Sequence, residues 1–230
     1  MLYILMLLLS FNCSKPEANF RLTGTIKGLK KGKVFLQKQN DSVLIKLDSM
    51  DIKGQEVFQL STHLEEPELL YLSWSKNDTD EQFIPFFAAQ GETVINTTLT
   101  NFNFDAKISG SEQQALFEQY NNTISEFNNQ NLELIKSSFL AQKSSDSMAV
   151  DSITKRSENL MKRQYTYAIN FALTHKDSEI APFLAVYEIP DANIKYLDTI
   201  YKSLTPTIKN SKYGKILQLA LENSDSSEVN

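Results

Sequence analysis

Ile108-Ser109-Gly110-Ser111-Glu112-Gln113-Gln114-Ala115-Leu116 is the stretch on which the fold turns. Upstream of it, Phe104, Ala106 and Ile108 alternate with Asp105 and Lys107, the period-two pattern of a half-buried strand. Downstream, Leu116, Tyr120, Ile124 and Phe127 recur at helical spacing, and Leu134 continues that face. Gly110 and Ser111 mark the break. Ser111 with Gln114 reads as a capping box: the serine takes a free N–H of the first turn, and the glutamine reaches back to the cap.

Moving toward the N-terminus, short apolar runs fall at Phe20–Lys27, Lys33–Gln39, Ser42–Ser49, Gln55–Ser61, Pro67–Trp74, Gln82–Ala88, Glu92–Leu99 and Phe104–Ser109. Turn residues separate them: Gly28 with Gly32, Asn40-Asp41, Asp51 with Gly54, Asn77-Asp78 and Gln90-Gly91. Regular short strands with this punctuation predict an antiparallel β-sandwich or barrel-like domain over residues 20–110. Val43, Ile45 and Leu47 are expected on one face. Leu69–Trp74 and Phe83–Ala88 are apolar on both faces, as strands are when central or when a further layer covers them.

Moving toward the C-terminus, residues 111–222 read as an α-helical domain. A first long helix ends in the polar gap Lys143–Asp146. A second runs from about Ser147 to His175 and carries Val150, Ile153, Leu160, Tyr167, Ala168 and Phe171 on one side. Two long helices with a short connection predict an antiparallel hairpin. Asp177-Ser178 opens a third helix, Ile180–Tyr187. Ile194, Leu197, Tyr201 and Leu204 mark a fourth that Pro206 ends, and Ser211–Leu221 is a fifth. Residues 223–230 are polar and read as a disordered tail. The fold class is therefore α+β.

Hydrophobic residues make up 41% of the 230, enough for a real core, and the net charge is −5. That balance argues against a nucleic-acid partner, which requires a basic face. The one cysteine excludes an internal disulfide, a CxxC pair and a cysteine zinc site. His63 and His175 form no metal-binding spacing, and no cofactor is expected. Asp48, Ser49 and Asp51 could suggest a cation site, but their spacing is far from a calcium-binding loop and a strand-end turn is the better reading. Asp151-Ser152 with His175 lacks the G-x-S-x-G elbow of a serine hydrolase. No catalytic constellation emerges, and an enzyme is not expected. Trp74, Phe83 and Phe86 are candidates for a partner or ligand surface, and each also reads as core.

The order of several short motifs resembles DUF4369, a domain of unknown function common in Bacteroidetes. Phe20-Arg21-Leu22-Thr23-Gly24-Thr25-Ile26-Lys27-Gly28 looks like its opening strand, and Lys33-Val34-Phe35-Leu36 its second. Asp48-Ser49, Gly54 with Phe58, and Ile108-Ser109-Gly110-Ser111 match later signatures, and Tyr213-Gly214-Lys215 resembles a segment that precedes the next domain in larger members. In many of those a thioredoxin-like domain with CxxC follows, and the whole resembles a periplasmic thiol–disulfide reductase. This chain has no CxxC. The resemblance therefore implies a non-catalytic interaction or ligand-recognition module. The alternative is an accessory or remnant of such a reductase system, with an envelope protein or a thioredoxin-like protein as partner.

The N-terminus implies a location. Leu2–Leu9 is an unbroken apolar run, shorter than the roughly twenty residues of a membrane-spanning helix and suited to a signal peptide over residues 1–12. Cys13 follows at once, and residues 13–19 turn polar. This arrangement resembles the bacterial lipoprotein signal, which implies lipidation at Cys13, a polar tether, and anchoring of the protein to a membrane of the cell envelope. The start carries no Lys or Arg, and Ser10-Phe11-Asn12 differs from the usual Leu-Ala-Gly, so an ordinary signal peptide stands as the other reading.

Overall fold

The computed structural model describes residues 17–40, 43–76 and 82–227. The predicted signal peptide and Cys13 lie outside the described residues. Among the described residues, eight strands come first: β1 (Phe20–Lys27), β2 (Lys31–Asn40), β3 (Val43–Lys53), β4 (Val57–Thr62), β5 (Glu68–Ser75), β6 (Gln82–Ala88), β7 (Gly91–Thr98) and β8 (Lys107–Ser109). Six helices follow among the same described residues: α1 (Glu112–Lys143), α2 (Ser147–Thr174), α3 (Ile180–Tyr187), α4 (Ile194–Ser203), α5 (Pro206–Lys209) and α6 (Lys212–Ser227).

The strands form two four-stranded sheets, ordered β4-β1-β7-β8 and β3-β2-β5-β6. Inward-facing residues of both sheets, Leu22, Ile26, Val34, Leu36, Leu60, Leu72 and Ile95 among them, fill one core between the layers. This is the sandwich that the alternating pattern predicts. One pair departs from antiparallel order: β1 and β7 run parallel, from Phe20 opposite Gly91 to Lys27 opposite Thr98. A parallel pair needs a long crossover, and here β2–β6 supply it by way of both sheets.

One local expectation is corrected. The predicted strand Phe104–Ser109 shrinks to Lys107–Ser109. Asp105 turns the chain before it: its N–H donates to the Asn101 carbonyl at 2.9 Å, and its carboxylate accepts from the Thr98 hydroxyl at 2.7 Å. Phe104 is consequently 88% exposed, and Phe102 is the ring that enters the core. In β3 the register shifts: Leu36 faces Asp48 and Gln37 faces Lys46, which leaves Leu47 as the extra residue of a β-bulge. Val43 and Ile45 share the face of Met50 and Ile52, and Leu47, at the bulge, packs with Met50 against the sandwich core on that same side.

α1 and α2 pack as the predicted antiparallel hairpin, with Asp146 capping α2 by accepting from the Ala149 N–H at 3.0 Å. Phe117, Tyr120, Ile124, Phe127 and Leu134 of α1 meet Ile153, Leu160, Ala168 and Phe171 of α2 in a second core. Pro206 does not only end α4. It takes the first position of α5, where its missing N–H costs nothing. α6 runs through Asn223–Ser227, into the segment read as a tail, because the helical backbone ladder continues past the last core contacts.

Candidate functional site

The two cores meet on the outward face of the β3-β2-β5-β6 sheet. Successive strand residues point to opposite sides, so Phe86 enters the sandwich core while its neighbour Phe87 enters the helical core; both are fully buried. The Phe87 ring lies 5.4 Å from Phe183, 5.8 Å from Tyr213 and 5.9 Å from Phe117. Hydrogen bonds lock the same joint. The Phe87 N–H donates to Gln114 Oε1 at 2.7 Å, and the Leu69 N–H donates to the Tyr213 hydroxyl at 2.9 Å. Ser111 caps α1 by accepting from the Gln114 N–H at 3.2 Å, and its hydroxyl donates to the Phe87 carbonyl at 3.4 Å. The Gln114 side chain therefore holds the sheet instead of reaching back to the cap as a capping box requires.

Beside the joint opens a cavity of about 160 Å³, lined by Gln39, Leu69, Tyr71, Phe183, Tyr187, Glu188, Lys212 and Tyr213. β2 and β5 supply Gln39 and Tyr71, the end of α3 supplies Tyr187, and α6 supplies Lys212 and Tyr213. Burial pushes the Tyr213 phenol well above its ordinary range; the Leu69 N–H counters this in part, and nearby Glu68 adds to the rise. Desolvation raises Tyr71 and Glu188 as well. Lys212 is engaged twice: its backbone N–H donates to Glu66 Oε2 at 2.8 Å and its ammonium donates to Glu68. A wider groove of about 1000 Å³ adjoins the recess, shares Gln39, Tyr187 and Lys212 with it, and extends past His63, Glu65 and Glu66 to Ala18.

The residues singled out from sequence separate in space. Phe86 is sandwich core, so it is no surface residue. Phe83 is half-buried on the outward face, its ring edge-on to Tyr71 at 6.4 Å. Trp74 is half-buried too, packs on the sandwich core with its ring 6.5 Å from Phe102, and lies outside the recess. Asp48 is a structural clasp: its carboxylate accepts from the Ser49 N–H and the Ser61 N–H, both at 2.8 Å, which ties β3 to β4. Asp51 pairs with Lys33 at 3.4 Å. His63 Nδ1 donates to the Glu17 carbonyl at 2.9 Å and His175 Nδ1 to the Phe171 carbonyl at 2.8 Å. The recess tyrosines had no periodic signal beyond Tyr213-Gly214. That pair has a steric basis: a Cβ on Gly214 would lie 2.0 Å from the Ile208 carbonyl oxygen.

The profile of a domain of unknown function, DUF4369, matches residues 20–117. Residues 20–117 form a DUF4369 domain. No curated protein and no solved structure matches the chain. The DUF4369 segment does not stop where the strands stop. It extends into α1 as far as Phe117, and so includes Ser111, Gln114 and Phe117, the three side chains that fasten α1 to Phe87. Its glycines have physical reasons: a Cβ on Gly24 would lie 1.8 Å from the Ile95 carbonyl oxygen, and one on Gly110 would lie 2.6 Å from Thr93 Oγ1.

Proposed function

We propose that this chain is an envelope lipoprotein, tethered by Cys13 at the periplasmic side or the outer membrane, whose folded part is a non-catalytic recognition module. The partner is an envelope protein, and the DUF4369 resemblance makes a thioredoxin-like protein the first to try. The observation that carries the recognition reading is the recess at the joint. Tyr71 and Tyr187 stand at its opening and offer broad amphipathic rings to a visitor. Its strongest charge and its buried phenol are already committed to holding the fold, Lys212 to Glu66 and Glu68, and Tyr213 to the Leu69 N–H. Side chains so engaged suit shape recognition better than proton or group transfer. At about 160 Å³ the recess suits one anchoring side chain of a protein partner, since pockets for drug-sized ligands run to roughly 300–1,000 Å³.

Pull-downs from envelope extract with the wild-type chain and a Tyr71→Ala, Tyr187→Ala variant test this. A partner retained by the first and lost from the folded second is the expected result; a folded wild type that repeatedly returns nothing, or a variant that retains everything, sinks the reading. The anchor is tested separately by intact mass of membrane-extracted protein against Cys13→Ala. The wild type should begin at Cys13 with an acyl-sized increment, and the variant should appear in the soluble fraction.

A further inference from the structure

The two tip-proximal apolar residues of β3, Val43 and Ile45, are 65% and 39% exposed. Their position follows from register. Ile45 faces Lys38, Lys38 faces Leu70, and Leu70 faces Phe86, whose ring stacks on Phe20 at 6.3 Å. Ile45 is therefore level with the first residue of β1, and Val43 stands two residues, or about 7 Å, further out. Both lie on the inner face of their sheet, at the end where the opposite sheet stops at Phe20, Thr62 and Gly91 and no longer covers them. The tether enters at this same end. Asn19 is fixed by two hydrogen bonds with the backbone of Leu64, both 2.8 Å, and the Glu17 carbonyl by His63. Ala18 lines one groove with Leu47 and Asn40, so the tether and the β2–β3 hairpin are neighbours.

From Glu17 back to Cys13 is four residues, a reach of at most about 14 Å when fully extended. A bilayer holding an acylated Cys13 must lie within that distance of the pinned segment, and thus beside the exposed valine and isoleucine. We infer that Val43 and Ile45 form an apolar ledge that rests on the membrane surface and fixes the orientation of the folded domain on it. The inference rests on the lipid anchor proposed above. The contact is apolar: Lys38, on the ledge's own face, already lies 3.9 Å from Glu68, and Lys46 stands over the Phe35 ring on the opposite face. Attachment of the ledge is therefore insensitive to salt, unlike binding of a basic patch to anionic lipid.

The test uses the full-length acylated chain in vesicles of phosphatidylethanolamine and phosphatidylglycerol, with a nitroxide at Ile45→Cys or, as control, at Lys53→Cys on the far end of β3. Collision with oxygen relative to a water-soluble nickel complex reports contact with lipid. The expected ratio is several-fold higher at position 45 than at 53, at low and at high salt alike. Equal ratios in protein whose mass confirms acylation overturn the ledge and leave the anchor standing. Nickel protection at 45 that needs added envelope protein also overturns it, in favour of a protein partner. An unmodified Cys13 in membrane-extracted chain sinks the anchor and the ledge together.

Discussion

Phe87 belongs to β6 by its backbone and to the helical core by its ring. Truncation to alanine opens a void among three aromatic rings, and Phe87→Ala is expected to lose about 3–5 kcal/mol of unfolding free energy, read from urea denaturation. Tyr213→Phe keeps the ring but strands the Leu69 N–H. Its expected cost is about 1–3 kcal/mol, the penalty for an unpaired buried donor. Glu179 gives a pH signature. It is buried in the helical unit, where desolvation raises its carboxyl above the ordinary value, the Ser211 hydroxyl at 2.6 Å opposes the rise, and Glu66 adds to it. A carboxyl raised in the folded state favours folding fully at pH below its unfolded value, and this contribution is lost as pH rises through the folded value. Glu179→Gln keeps an acceptor for Ser211 and removes the charge. The variant should be the more stable at neutral pH and should converge with the wild type in acid, a difference that urea midpoints at the two extremes will show. Of these residues, sequence reading found the apolar character of Phe86 and Phe87 but not their division. Alternation places them on opposite faces, while which face meets helices depends on contacts with residues up to Tyr213.

At the scale of elements, the boundary at Gly110-Ser111 was legible because two signals coincide there, the change of period and a capping serine. The role of Gln114 was not, since the Phe87 N–H that draws its side chain away lies 27 residues earlier in the chain. Gln114→Leu is expected to cost about 1–3 kcal/mol by leaving that donor unpaired. The bulge at Leu47 was invisible for a related reason. A run of alternating residues specifies two faces, but an extra residue shows only against the partner strand. The helical hairpin offers a contrast. Leu132, Ile135 and Phe139 project from α1 and remain exposed. Their replacement by serine, one at a time, should move the unfolding free energy by no more than about 0.5 kcal/mol. A larger loss at any of them would mean that this stripe packs on something in solution.

Across the whole molecule, two cores are riveted at one joint by rings, by four backbone-to-side-chain bonds and by the Lys212 and Glu68 pair. Backbone circular dichroism and tyrosine fluorescence should therefore report one coincident unfolding transition for the wild type. Phe87→Ala should separate the two curves, because its loss weakens the joint more than either core alone. The α+β order, the sandwich and the hairpin were all readable from periodicity. The joint was not, because it is built from residues that lie between 24 and 146 positions apart, from Phe87–Ser111 to Glu66–Lys212, and no local pattern links them.

The parallel pairing of β1 with β7 sets a timetable for the growing chain. Made from its N-terminus, the polypeptide can zip β1 against β4 early, but the other edge of β1 stays bare until Gly91–Thr98 has emerged. Until then the open row of N–H and C=O groups on Phe20–Lys27 is available to any passing strand, including that of a second nascent chain. A chaperone that shields this segment, or slow passage of the following seventy or so residues, would therefore govern how much of the product matures and how much aggregates.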